Sequence, residues 1–117
     1  VDVEFVRPLK EDIAGRYFSK AEMAALAKLA TEDQLEGFYR CWTRKEAVVK
    51  AIGEGLSRPL DSFDVTVAKN APASIERVDD DDAARWKLEH FTPAEGFVGA
   101  VACRTGGAPI RVRRRDP

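Results

Sequence analysis

At Pro59 the hydrophobic period of this chain changes, and few folds accommodate the change. Before it, apolar residues recur every three or four positions, the spacing of helices that bury one face. After it they alternate with polar residues, the period-2 signature of strands. Ser19 with Glu22 three residues on forms a capping box ahead of the helix-favouring run 21–30, where Met23, Leu26 and Leu29 lie near helical spacing. Thr31 offers a second cap. The spacing then predicts a long helix over 32–54, stopped by Gly53, Gly55 and Pro59. Beyond it, Phe63, Val65 and Val67 alternate with Asp64 and Thr66, residues 75–78 form a short apolar-edged run, and Trp86, Leu88 and His90 alternate with Lys87 and Glu89. Residues 97–103 are nearly all apolar or small and predict a strand buried on both sides. At the start, VDVEFV over 1–6 reads as a strand broken by Pro8, followed by a short helix or turn over 9–17. One strand, then helices, then antiparallel strands make an α+β domain, with an antiparallel sheet of three to five strands packed on the long helix.

Composition narrows the class. A chain of 117 residues with 44% hydrophobic content suits one domain with a modest core. Its 19 basic and 20 acidic residues leave a net charge of -1, which excludes a general polycation and an acidic disordered tail. The run Arg111, Arg113, Arg114, Arg115 reads as a charged tail over 106–117 after a domain at 1–105, not as a nucleic-acid site. No apolar run approaches the roughly 18 residues of a membrane helix. Val1-Asp2-Val3-Glu4 lacks the basic start and apolar stretch of a signal peptide. It also lacks an initiator Met, so the chain reads as a piece of something longer. Cys41 and Cys103 make neither a disulfide framework nor a metal cluster, and fit a reducing cytoplasm. The run 79–82, all Asp, reads as a solvated turn.

Asp2 and Glu4 stand two apart on the first strand, so both carboxylates share one face about 7 Å apart. Val1, Val3 and Phe5 then face the other way, which predicts that they enter the core. On the long helix, Leu35, Phe38, Tyr39, Trp42, Val49 and Leu56 share a stripe, and Glu46 falls within its arc. A carboxylate there is costly unless it is paired or bound to a metal. Lys50, one turn on, offers a pair; the other reading is a carboxylate aimed into a cleft. With Asp2 and Glu4 it gives three hard oxygen donors, a set that suits Mg²⁺. Lys45 and Lys50 flank Glu46 as phosphate partners, and there is no GxxxxGK[ST] loop.

These residues resemble a known family. Val1-Asp2-Val3-Glu4, Arg16-Tyr17-Phe18-Ser19 with Glu22, Phe38-Tyr39, and Trp42-Thr43-Arg44-Lys45-Glu46-Ala47 followed by Lys50, Gly53, Gly55, Leu56 and Ser57 are similar to the 4′-phosphopantetheinyl transferases. The WTRKEA form, the segment Arg58 to Phe63, and the strands around Trp86 and Phe97 resemble the Sfp-type branch more than the holo-acyl-carrier-protein-synthase branch. Members of that branch are roughly twice this length and have two similar halves. The chain looks like the C-terminal half, one half of the Sfp-type pseudo-dimer, with the family's glycine-led acidic segment beginning here at Val1.

The resemblance implies an enzyme that moves the 4′-phosphopantetheine arm of coenzyme A onto a serine of an acyl or peptidyl carrier protein. It implies Mg²⁺ held by Asp2, Glu4 and Glu46, catalysis by Glu46 and Lys50, coenzyme contacts from Lys45 and Lys50, and a cytoplasmic location. Trp42 and His90 are expected to be structural. The alternative is a non-catalytic half-domain that binds carrier protein or self-assembles, as a dimer or else a trimer. The isolated chain is expected to be inactive or very weak, because half of the coenzyme cleft lies outside it.

Overall fold

The computed structural model describes residues 1–9, 13–52, 59–79 and 81–104. Its strands are β1 (Asp2–Phe5), β2 (Phe63–Val65), β3 (Ile75–Val78), β4 (Trp86–Phe91) and β5 (Phe97–Arg104). Its helices are α1 (Ile13–Tyr17), α2 (Lys20–Ala27) and α3 (Thr31–Ile52), with short 3-10 turns at Leu60–Ser62 and Ala83–Arg85. The architecture is α+β, as expected, and every strand pairing is antiparallel. The sheet packed on the long helix has three strands, within the three to five expected. β1, β5 and β4 lie side by side in that order, while β2 and β3 form a separate two-stranded ribbon with a register shift between Asp64 and Val65. Val67 lies beyond the end of β2 yet remains buried.

The local signals explain the helices. Ser19 Oγ accepts from the Glu22 amide at 3.3 Å, and the Glu22 carboxylate accepts from the Ser19 amide at 2.9 Å. That capping box starts α2, which ends three residues earlier than its apolar spacing suggests. Thr31 is the first residue of α3 rather than a cap before it. The proposed stop at Gly53 and Gly55, Leu56 of the apolar stripe and the basic tail all lie outside the described residues.

α3 is the axis of the domain, with β5 and β1 on one flank and α2 and β2 on others. It is therefore buried around most of its circumference, and the single stripe read from its sequence is too narrow. Phe38, Tyr39, Cys41, Val48 and Val49 join a core with Phe18, Phe63, Val65, Val67, Trp86, Leu88 and Val98. Leu35 and Trp42 pack at its margin. Thr43, Arg44 and Lys45, polar by type, are also buried. Gly37 lets the end of α2 close on α3: a Cβ there would lie 2.3 Å from a Leu29 methyl and 3.2 Å from a Leu26 methyl. Gly37→Val is therefore expected to lower stability by about 1–3 kcal/mol through overpacking, read from a urea unfolding curve.

β1 corrects one expectation. Val1, Val3 and Phe5 are not in the core: they are 62%, 43% and 49% exposed. The acidic face turns inward instead, with Asp2 opposite the buried Ala100 and Glu4 opposite the buried Val98 of β5. The outer face carries Phe5 against Phe97, with ring centroids 5.0 Å apart, and the Phe91 ring over Gly99. On β5, Val101 belongs to this outer series, so only part of that strand is buried on both sides. Among the described residues no helix is long and apolar enough to cross a membrane. In the aspartate run, Asp81 accepts from Arg104 Nε at 2.7 Å and Trp86 Nε1 at 3.1 Å, so it ties β4 and β5 together.

Candidate functional site

β1 and the C-terminal half of α3 pack together, and this contact assembles the site. Lys50 Nζ donates to Asp2 Oδ1 at 2.8 Å and reaches the Val1 carbonyl at 3.4 Å. The Lys50 side chain is half exposed while that of Asp2 is buried, so a mobile cation reaches down to a fixed anion. The second oxygen, Asp2 Oδ2, is buried with no hydrogen-bond partner. Burial raises the Glu46 carboxyl above its ordinary range, the Asp2 and Glu4 charges raise it further, and Lys50 opposes them. Glu4 is raised by burial and then by Asp2, against a hydrogen bond from Trp42 and the charges of Lys50 and Arg7. Lys50 is held above its ordinary range, chiefly by its hydrogen bond to Asp2. The charges of Asp2, Glu4, Glu46 and Lys50 thus act on one another as a single electrostatic unit.

Trp42 is part of that unit, which its spacing alone did not reveal. It stacks on Phe38 with centroids 6.1 Å apart at 14°, and its bond to Glu4 ties the core to the acidic face. A tryptophan one helical turn before the half-buried Glu46 was the available signal.

Lys45, expected to meet the cofactor, is placed elsewhere. Successive helix residues point about 100° apart, and Lys45 turns into the interior where Glu46 turns toward β1. Its ammonium is fully buried, pairs with Glu22 at 2.8 Å, donates to the Phe63 carbonyl at 2.6 Å and to the Leu60 carbonyl, and lies 3.9 Å from the Phe63 ring centroid. No face of it is left for a phosphate. Glu22 also accepts from the Val65 amide at 2.8 Å, so the pair links α2, α3 and β2.

Among the described residues no group of three or more His, Cys, Asp or Glu side chains is drawn together tightly enough to hold a metal ion as it stands. The fit of a divalent cation can still be tested on the groups present. A buried carboxylate oxygen without a partner, and two neighbouring carboxyls raised by repulsion and burial, form an all-oxygen donor set with surplus negative charge. A hard cation such as Mg²⁺ fits such a set.

Comparison with known proteins gives the family. The family model described as the 4′-phosphopantetheinyl transferase superfamily matches residues 1–102. The chain belongs to that superfamily. It is 40% identical over 101 residues to the 4′-phosphopantetheinyl transferase Sfp of Bacillus subtilis, covering 86% of this chain and 44% of that protein. It is 33% identical over 104 residues to the 4′-phosphopantetheinyl transferase HetI of Nostoc sp., covering 87% and 41%. With the 4′-phosphopantetheinyl transferase psf-1 of Bacillus pumilus it shares 34% over 112 residues, 96% of this chain and 47% of that protein. The superfamily member described here thus spans less than half the length of each of these relatives.

Proposed function

We propose that this chain is the C-terminal half of a Mg²⁺-dependent enzyme that transfers 4′-phosphopantetheine from coenzyme A to a serine of an acyl or peptidyl carrier protein. The observation that carries the reading is the Asp2–Glu4–Glu46–Lys50 unit, with its buried unpartnered Asp2 oxygen, in a chain of this superfamily. Asp2, Glu4 and Glu46 would hold the ion, which when bound supplies charge neutralisation for the diphosphate.

The protein's own groups do the rest. The carrier serine oxygen forms a bond to the phosphorus next to the pantetheine arm. The bond from that phosphorus to the bridging oxygen breaks, and adenosine 3′,5′-bisphosphate leaves. Glu46 accepts the serine proton as general base. Lys50, exposed and held only at its tip, turns from Asp2 to the leaving phosphate and stabilises its charge. Lys45 takes no part in coenzyme binding in this reading, because its ammonium is enclosed.

The exposed apolar face of β1 and β5, around Val3, Phe5 and Phe97, supports a partner packed there, either the complementary half of the enzyme or a second copy. Light scattering that finds only monomer at high concentration would argue against the second copy.

The test is mass spectrometry of an apo carrier protein incubated with coenzyme A, with and without Mg²⁺, using this chain alone and joined to its complementary half. Gain of the arm only with Mg²⁺ and only in the joined protein is expected; gain without Mg²⁺ overturns the metal role, and robust gain with this chain alone overturns the half-enzyme reading. In the joined protein Lys50→Ala is expected to slow transfer about 10²-fold or more. Calorimetry should find Mg²⁺ affinity retained in that variant, since removing the ammonium vacates Asp2 Oδ1 without deleting a ligand.

A further inference from the structure

On the far side of α3 a second cluster has no role in the reading above. Arg40 and Arg44 lie one turn apart, only 4% and 2% exposed, and both line a cavity of about 460 Å³ together with Lys69, Asn70 and His90. Residue 44 stands about 200° around the helix from residue 46, so this cavity and the acidic site open on different faces. The arginines are anchored by backbone oxygens: Arg40 Nε donates to the Val67 carbonyl at 2.9 Å, and Arg44 Nη1 to the Thr66 carbonyl at 2.7 Å.

Those anchors are neutral and leave the charge uncompensated. Glu36 pairs with Arg40 at 3.8 Å from a largely exposed position. Glu89 also lines the cavity but is exposed, and Lys69 shares its charge with Asp33 at 3.2 Å. Arg40 Nη2 and Arg44 Nε are buried without hydrogen-bond partners. Two neighbouring buried cations that share, among the described residues, one exposed carboxylate at 3.8 Å are costly unless a further anion joins them. Arg44 Nη2 comes within 3.4 Å of His90 Nδ1, which brings the imidazole to the same cavity. The Arg44 guanidinium is lowered to about 10 by burial and by Arg40, as an unneutralised pair should be.

We infer that this cavity is a binding site for a tetrahedral oxyanion of the phosphate class, received by Arg40, Arg44, Lys69 and His90. Paired guanidinium groups match the oxygen geometry of phosphate. The volume exceeds that of free phosphate, so a phosphate monoester is the fitting ligand and the free ion its minimal form.

His90 is the only histidine of the chain, so its imidazole proton signals report on this cavity alone. The probes are inorganic phosphate and glycerol phosphate, titrated into the 117-residue chain at fixed pH and ionic strength against chloride. Saturable shifts of the His90 signals are expected, tighter for the ester. Arg44→Met should weaken binding about tenfold or more; Lys69→Ala, exposed and easily tolerated, should weaken it several-fold. Lys50→Ala should leave the shifts unchanged. Absence of saturable shifts up to tens of millimolar, or shifts abolished by Lys50→Ala and insensitive to Lys69→Ala, would overturn the inference. Free phosphate binding as tightly as the ester would overturn the ester as ligand.

Discussion

Lys45→Met is expected to lower folding stability by about 3–5 kcal/mol, the cost of removing one partner from a buried ion pair. The variant keeps the shape of the side chain but leaves the Glu22 carboxylate enclosed, holding only the Ser19 and Val65 amides. It also frees the Leu60 and Phe63 carbonyls from their donor. Glu22→Gln should cost somewhat less, since an amide keeps part of the capping geometry. The double variant Glu22→Gln with Lys45→Met should fall short of the sum of the singles, because no charge is left stranded. Urea unfolding of the four proteins measures this. A Lys45→Met protein as stable as the parent would mean that Lys45 is not held as described.

Glu46→Gln, in the enzyme joined to its complementary half, is expected to reduce transfer by 10² to 10⁴-fold, the range for loss of a general base, and to weaken Mg²⁺ binding. The amide is isosteric, and Glu46 is only half-buried, so the fold should survive, with circular dichroism as the check. Asp2→Asn should weaken Mg²⁺ binding too, and should also release Lys50, whose ammonium then loses its raised affinity for a proton. Transfer within about threefold of the parent in Glu46→Gln, well below the range for a general base, would remove Glu46 from the chemistry.

The order of elements was legible before any coordinates, because capping, period and breakers are local. Ser19 with Glu22 marks the start of α2 by a bond between residues three apart. The unit of Asp2, Glu4, Glu46 and Lys50 was legible as a set of residue types. What it lacked was direction. Hydropathy assigned Val3 and Phe5 to the core, but the inward face of β1 is settled by register against Val98 and Ala100 and by Lys50, which lies 48 residues away from Asp2. Lys45 is a related case. Its place beside Glu46 suggested a phosphate partner, whereas its carboxylate partner in the structure, Glu22, sits on another helix and already closes a cap. That one carboxylate serves Ser19, Val65 and Lys45 at once is a property of packing. The division of the strands into two sheets likewise depends on contacts across the chain.

β1 writes two messages on alternate residues. Even positions carry the acids, and odd positions carry the apolar surface. Because the two series are interleaved at period 2, a slip of one residue against β5 would exchange them. Valine would then enter the acidic cleft and the carboxylates would face outward. Substitutions along this strand are therefore separable by parity, whereas a single-residue insertion or deletion within it erases both messages together.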